Sequence, residues 1–277
     1  MVEVREWSRS DTARLLRVPS ADDDKYSRGV VALRTGSTAY PGAAVLGVEA
    51  AWRAGAGFVR FVGEQRVADA VLARRPETVT GRDVGRTRID CWVVGSGTDA
   101  ADRSSDDAEA LRSLMTGSAR VVMDAGALDL VDRVSAPVVI TPHAGEFAKL
   151  RERLRLPVAG ADRAADAREV AIALGVTVLL KGSRTLIAAP DGGVTALAAG
   201  TGWLATAGTG DVLGGVLGAV LAANPRAQLH EAAAAGAWLH GYAARLASGT
   251  ENGEPGHPIV ALDVAQALPR AIADVLA

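Results

Sequence analysis

The chain has 277 residues, of which 22% are charged and 49% belong to the apolar class A, V, I, L, M, F, W, Y and C, with a formal net charge of −2. That balance supports a sizeable core and speaks against disorder. With acidic and basic residues mixed along the chain, it gives no footing to nucleic acid or an anionic membrane surface as a partner.

Cys91 is the one cysteine, so no disulfide framework can form. It lies in the apolar run CWVVG and reads as a buried strand residue rather than a catalytic thiol. The opening MVEVREWSRSDTARLL is charged and lacks the apolar core of a signal peptide. The longest apolar run, 212–223, is too short and glycine-rich to span a bilayer. The expectation is a soluble protein of the reducing cytoplasm, with no membrane partner.

Short β-branched runs alternate with alanine-rich runs. GVVAL (29–33) reads as a strand and PGAAVLGVEAAWRAG (41–55) as a helix, with Pro41 in its first turn. GFVRFVG (57–63) is a strand, 65–75 a helix, 90–95 a strand and 107–115 a helix. Strands are expected at 119–126 and 137–143, then a short helix at GEFAKL, a helix over 161–175 and a strand over 176–182. RTLIAAPDGGVTAL (184–197) reads as a hairpin turning at Pro190-Asp191-Gly192-Gly193. Three helices close the chain, at 212–223, 230–247 and 263–276. Strands apolar on both faces, alternating with helices, predict one three-layer α/β/α domain over 1–277 with a mainly parallel sheet.

In such sheets, functional groups gather at the carboxyl ends of the strands. Gly36-Ser37, Gly95-Ser96-Gly97, Asp124, Thr141-Pro142-His143 and Lys181-Gly182 all follow expected strands. The stretch LATAGTGDVLGGVLGAVLA (204–222) sets Asp211 between a glycine loop and an apolar helix, a costly place for a charge. Gly208 and Gly210 let backbone approach a ligand, and the following helix end would suit phosphate. Asp211 could then deprotonate an attacking hydroxyl. The plainer reading is a helix cap.

In TPHAGEFAKL, His143 could touch substrate and Glu146 could organise a metal near phosphates. Here too a capping arrangement is the plainer alternative. Lys181 could neutralise phosphate or simply face solvent. VVGSGT lacks the third glycine of a dinucleotide fingerprint, and no GxxxxGK[ST] sequence occurs. His240, in an apolar helix, reads as a core residue, and Asp263 as a helix cap.

The ordered segments GS…YPGAA…AAWRAGAGF, VVGSG, VMDAGAL, ITPHAGEF, VLLKG, LATAGTGDVLGGVLGAVLA and HGYAA resemble the ADP/ATP-dependent NAD(P)H-hydrate dehydratases of the ribokinase-like superfamily. The likeness runs from about Lys25 to the C-terminus and is most specific in TPHAGEF and LATAGTGDVLGG. It implies a metabolite-repair enzyme that removes water from the S epimer of NADHX or NADPHX. Its co-substrate would be ADP (or ATP), with Mg²⁺, giving AMP and phosphate when ADP is used.

The resemblance implies that Ala43, Gly97, His143 and Asp211 face the hydrated cofactor. It implies that Lys181, Gly182, Ser183, Arg184, Thr185, Gly208, Thr209 and Gly210 hold the nucleotide. It also implies that Glu146 occupies the acidic position near Mg²⁺, through water. Relatives tend to form homo-oligomers, so one is expected here, a tetramer being a candidate. The epimerase domain fused in some relatives has no room in this length.

Two stretches depart from the family's pattern. A DADAL-like motif is here Asp124-Ala125-Gly126-Ala127-Leu128, without the second carboxylate. A loop often written GPGxG is here Gly95-Ser96-Gly97-Thr98-Asp99, without the proline and last glycine. The alternatives are a ribokinase-like kinase of a small thiazole or pyrimidine alcohol and, from another class, a nucleotide-binding module without catalysis.

Overall fold

The structure is a computed structural model that describes residues 2–132 and 134–277. Its spine is a ten-stranded sheet in the order β1-β10-β9-β8-β7-β6-β5-β2-β3-β4. The strands are β1 (Val4–Glu6), β2 (Val30–Arg34), β3 (Phe58–Val62), β4 (Val79–Gly81), β5 (Cys91–Val94), β6 (Arg120–Met123), β7 (Val138–Ile140), β8 (Thr177–Leu180), β9 (Thr185–Ala188) and β10 (Val194–Leu197). All pairings are parallel except those of β9, which runs against both β8 and β10. The mainly parallel expectation holds, and the hairpin over 184–197 is the antiparallel part.

Alternation along the strands divides the core. Cys91 and Val93 of β5 face one apolar cluster with Leu33, Phe61, Val122 and Leu179. Trp92 and Val94 face a second with Met123, Ile140 and Leu180. Helices α2 (Pro41–Arg53), α7 (Thr209–Ala223), α8 (Leu229–Ser248) and α9 (Ala261–Leu276) cover the first face. Helices α4 (Ser105–Met115), α5 (Ala144–Arg153) and α6 (Arg163–Leu174) cover the second. Helices α1 (Arg9–Ala13) and α3 (Gln65–Arg74) complete the set among the described residues. Cys91 is fully buried, which pushes its thiol up to about 12, so it packs and does not react.

Helix α7 explains its own glycines. Residues Val212 to Ala222 are all buried. A Cβ at Gly215 would lie 2.1 Å from the Gly47 carbonyl oxygen of α2, and one at Gly218 would lie 2.6 Å from Val93 of β5. Small residues let α7 wedge between α2 and the sheet, which delivers its N-terminal turn to the carboxyl edge of the strands.

Several boundaries differ from expectation. α7 begins at Thr209, not 212, so Asp211 is its third residue and Gly208, at φ +86°, is the N-cap. The expected strand 119–126 ends at Met123 and passes into a 3-10 turn, Ala125–Leu130. The short strands β1 and β4 and the five-residue α1 carried too little periodicity to be read. Asp263 sits in the first turn of α9 and accepts from the Val260 N–H at 2.8 Å, as a cap should.

Candidate active site

Five strand ends and one helix end meet at the carboxyl edge. The loop after β2 brings Gly36, whose N–H donates to the Ser96 carbonyl oxygen at 2.7 Å. The loop after β5 carries Gly95, Ser96 and Gly97. β6 delivers Asp124, β7 delivers Thr141 and His143, and β8 delivers Lys181. The N-terminal turn of α7 lies across them. These are the positions the sequence reading assigned to one edge.

Asp211 is half-buried, and the Ser96 hydroxyl donates to its Oδ1. Burial raises its pKa above the ordinary carboxylate value of 3.8; the Ser96 hydroxyl opposes, Asp124 adds to the rise, and Lys181 opposes. Gly208 contributes no capping side chain. The first-turn N–H groups, which have no intrahelical acceptor, therefore stay available at the helix end. Gly210 turns its bare Cα toward Asp124 Oδ2 and Lys181 Nζ; a Cβ there would lie 3.8 Å from each. A helix N-terminus, a lysine and a half-buried carboxylate converge on one spot, the set needed to hold a transferring phosphoryl group beside a base.

Lys181 Nζ pairs with Asp124 Oδ1 at 2.8 Å and stands 3.9 Å from Glu146 Oε2. The Thr141 hydroxyl donates to the same Asp124 oxygen at 2.9 Å. His143 and Glu146 form a reciprocal cap on α5. The His143 Nδ1 accepts from the Gly145 and Glu146 N–H groups at 3.0 and 3.3 Å, and Glu146 Oε2 accepts from the His143 N–H at 2.8 Å. The capping alternative is therefore realised; the His143 side chain stays largely exposed, with its Nε2 3.6 Å from Glu146 Oε1.

On one side of this centre lies a cavity of about 550 Å³, walled by Lys181, Gly182, Ser183, Thr185, Thr209 and Gly210. Thr209 turns its hydroxyl back to the Leu204 and Thr206 carbonyl oxygens. Arg184 is drawn away into an ion pair with Glu6, the last residue of the edge strand β1. Arg163 ties the loop down by donating to the Lys181 and Arg184 carbonyl oxygens. His240 is buried as expected, with an unpartnered Nε2, and also lies in the wall of this cavity.

A second cavity, of about 290 Å³, opens on the other side, between the loops after β2 and β5. Gly36, Gly95 and Thr98 line it, and beside them Gly97 meets Ala43 so closely that a Cβ on Gly97 would lie 2.4 Å from the Ala43 methyl. Thr35, also in its wall, has a buried Oγ1 without a partner among the described residues.

Among the described residues no three His, Cys, Asp or Glu side chains converge as a metal cage. Two carboxylates, Asp124 and Glu146, flank Lys181 instead. Such a set fits magnesium that arrives on nucleotide phosphates and keeps its waters, not a metal held by protein alone.

The sequence places Ser96 and Thr141 at this edge but gives neither a partner, and it carries no sign of Arg163 or of the cavity face of His240. Short-range patterns cannot show that a hydroxyl reaches a carboxylate 115 residues away. Arg163 opens a helix, with no local signal of the loop it holds.

A model of the NAD(P)H-hydrate dehydratase family matches residues 31–262. The bifunctional NAD(P)H-hydrate repair enzyme Nnr of Mycobacterium tuberculosis strain CDC 1551 is 43% identical over 232 residues, which are 80% of this chain and 47% of that protein. This chain thus spans about half the length of the bifunctional relatives it matches. The ADP-dependent (S)-NAD(P)H-hydrate dehydratase of Neisseria meningitidis serogroup B is 35% identical over 83% of this chain and 81% of its own. The ADP/ATP-dependent NAD(P)H-hydrate dehydratase of Bacillus subtilis, co-crystallised with ATP and Mg²⁺, superposes with a TM-score of 0.85 at 27% identity, covering 99% of this chain and 100% of that one. With a ribokinase-like fold, this site at its sheet edge and a family match over most of its length, the chain belongs to the NAD(P)H-hydrate dehydratase family.

Proposed function

We propose that this chain dehydrates the S epimer of NAD(P)H hydrate at the expense of ADP, releasing NAD(P)H, AMP and phosphate. The observation that carries this reading is Asp211 in the open first turn of α7, held by Ser96 and facing Lys181 across Gly210. In this reading the hydrated nicotinamide enters from the Gly97 and Ala43 side, past His143. The nucleotide lies along Lys181, Gly182, Ser183 and Thr185, with its terminal phosphate at the Gly208-Thr209-Gly210 turn, and Arg184, paired with Glu6, stands outside that wall.

Asp211 takes the proton of the C6 hydroxyl as that oxygen attacks the terminal phosphorus, and AMP departs with the bridging oxygen. The α7 N–H groups and Lys181 stabilise charge on the equatorial phosphoryl oxygens. The ring nitrogen lone pair then expels phosphate as the C6–O bond breaks, and the C5 proton passes to the released phosphate or to water, restoring the C5–C6 double bond. Glu146 would hold Mg²⁺ through water, and that ion would offset phosphate charge when bound.

The test follows dihydronicotinamide absorbance during incubation of NADHX with Mg²⁺ and either ADP or ATP. Recovery of NADH with one nucleotide, abolished in Asp211→Ala, is expected. Folded protein that binds nucleotide but restores no NADH would overturn the reading, and phosphorylation of a small alcohol instead would identify a kinase.

A further inference from the structure

We propose that Ser96 is a positioning residue for Asp211, fixing one carboxylate oxygen so that the other is presented to the hydroxyl that attacks phosphorus. This rests on the phosphoryl-transfer reading above. Ser96 is 3% exposed, and its hydroxyl donates to Asp211 Oδ1. Oδ2 lies over the N-cap, where a Cβ on Gly208 would stand 3.7 Å from it. The bonded oxygen therefore points toward β5 and the other toward the helix end, where the phosphate is placed.

The serine itself is clamped. Its carbonyl oxygen accepts from the Gly36 N–H at 2.7 Å. Both flanking glycines have positive φ, +95° at Gly95 and +68° at Gly97. A Cβ on Gly95 would lie 2.1 Å from the Asp124 carbonyl oxygen, and one on Gly97 would lie 2.4 Å from Ala43. The loop cannot drift without colliding with β6 or α2, so the hydroxyl direction is set by the fold. In the GPGxG pattern that this loop resembles, a proline stands at this place and offers no hydroxyl. The hold on Asp211 is thus a property of this chain's own residues.

The charges facing Asp211 are Asp124 from the end of β6 and Lys181 from the end of β8. Helix α2 meets it only at the main chain, where a Cβ on Gly47 would lie 3.5 Å from the Asp211 carbonyl oxygen. Burial and Asp124 work against the ionised carboxylate, while Ser96 and Lys181 favour it. Loss of the serine hydroxyl removes a hydrogen bond to a charged acceptor, the stronger class of such bonds.

The experiment compares Ser96→Ala, Ser96→Thr and Asp211→Asn in the full chain. Thermal unfolding first verifies that each variant is folded. In NADHX dehydration, Ser96→Ala is expected to lower kcat about ten- to a hundredfold while the nucleotide KM stays within about twofold. The acidic limb of its pH profile should move to higher pH, and Ser96→Thr, which restores a hydroxyl, should recover most of the rate. An unchanged kcat and acidic limb in Ser96→Ala would overturn the proposal.

A carbon-13 NMR titration of the aspartate carboxyls gives a readout independent of turnover. The Asp211 resonance, identified by its loss in Asp211→Asn, should titrate at higher pH in Ser96→Ala than in the wild type. Wild-type protein that dehydrates nothing would sink the functional reading alone. The titration then still decides whether Ser96 holds Asp211: a shifted curve supports it and coincident curves refute it.

Discussion

Lys181 Nζ stands 2.8 Å from Asp124 Oδ1, joining the ends of β8 and β6 across the intervening β7. Asp124 is 6% exposed, and its one other side-chain donor among the described residues is Thr141. Removing the lysine leaves that carboxylate with one neutral donor, at a cost of about 1–3 kcal/mol. Lys181→Met should therefore lower stability as well as weaken ADP binding by about tenfold or more. Asp124→Asn combined with Lys181→Met should recover much of the lost stability but not the nucleotide affinity, since no unpaired charge remains. Denaturant unfolding and ADP titration calorimetry on the two single variants and the double variant provide the check; strictly additive stability losses would show the pair to be uncoupled.

Asp211 gives a stability prediction of opposite sign. Its carboxyl titrates above its ordinary value in the folded chain. Between the two values the folded state binds more protons than the unfolded one, so stability falls as pH rises through that interval. Asp211→Asn removes this penalty. It should be more stable than wild type at pH 7 and catalytically dead, with the stability gap closing as pH drops toward 3.8. Urea unfolding at several pH values measures the gap; a variant less stable than wild type at pH 7 would contradict it.

Most of this site was legible because it consists of strand ends. Apolar runs buried on both faces marked the strands, and the first polar residues after each run, such as Asp124 and Lys181, fell at the same edge by topology alone. Local pattern also found the His143–Glu146 cap, because such a box is written within four residues. It could not find the partner of Asp211. The choice between helix cap and buried base depended on Gly208 taking the N-cap position and on Ser96 arriving from β5, which is tertiary information. β1 escaped for a related reason. Three residues carry no usable period, and the strand is recruited only because β10 offers it an edge.

His240 makes the fold sensitive to acid. Burial depresses its imidazole from 6.5 to about 4, opposed by the Thr209 main chain and reinforced by Lys181. The unfolded chain then binds the extra proton at a higher pH than the folded one. Stability from this group is fully present above about pH 6.5 and is lost as pH falls toward 4, by about 3 kcal/mol in all. His240→Gln should flatten the stability curve between those values. Unfolding midpoints at pH 4.5 and 7.0 in both proteins test this; equal slopes would mean that other groups govern acid unfolding.

The two departures from the resembled family's motifs form one structural unit. Gly126 stands where a DADAL-like motif would carry its second aspartate, and a Cβ there would lie 2.2 Å from the Thr98 carbonyl oxygen. Thr98 is itself fixed by its N–H and hydroxyl, which both donate to the Gly95 carbonyl oxygen at 3.2 and 2.7 Å. The Gly126 N–H donates to that same oxygen at 3.2 Å. The loops after β5 and β6 therefore interlock backbone to backbone, with Ser96 in one and Asp124 at the head of the other. Restoring the motif by Gly126→Asp should not restore anything. It should cost about 1–3 kcal/mol through overpacking, and it should lower kcat by shifting Ser96 from Asp211. Gly126→Ala brings the same Cβ without the charge and should show most of both effects. If the aspartate variant alone lost activity while the alanine variant matched wild type, charge rather than space would set this position, and the interlock would not be what holds the two loops in register.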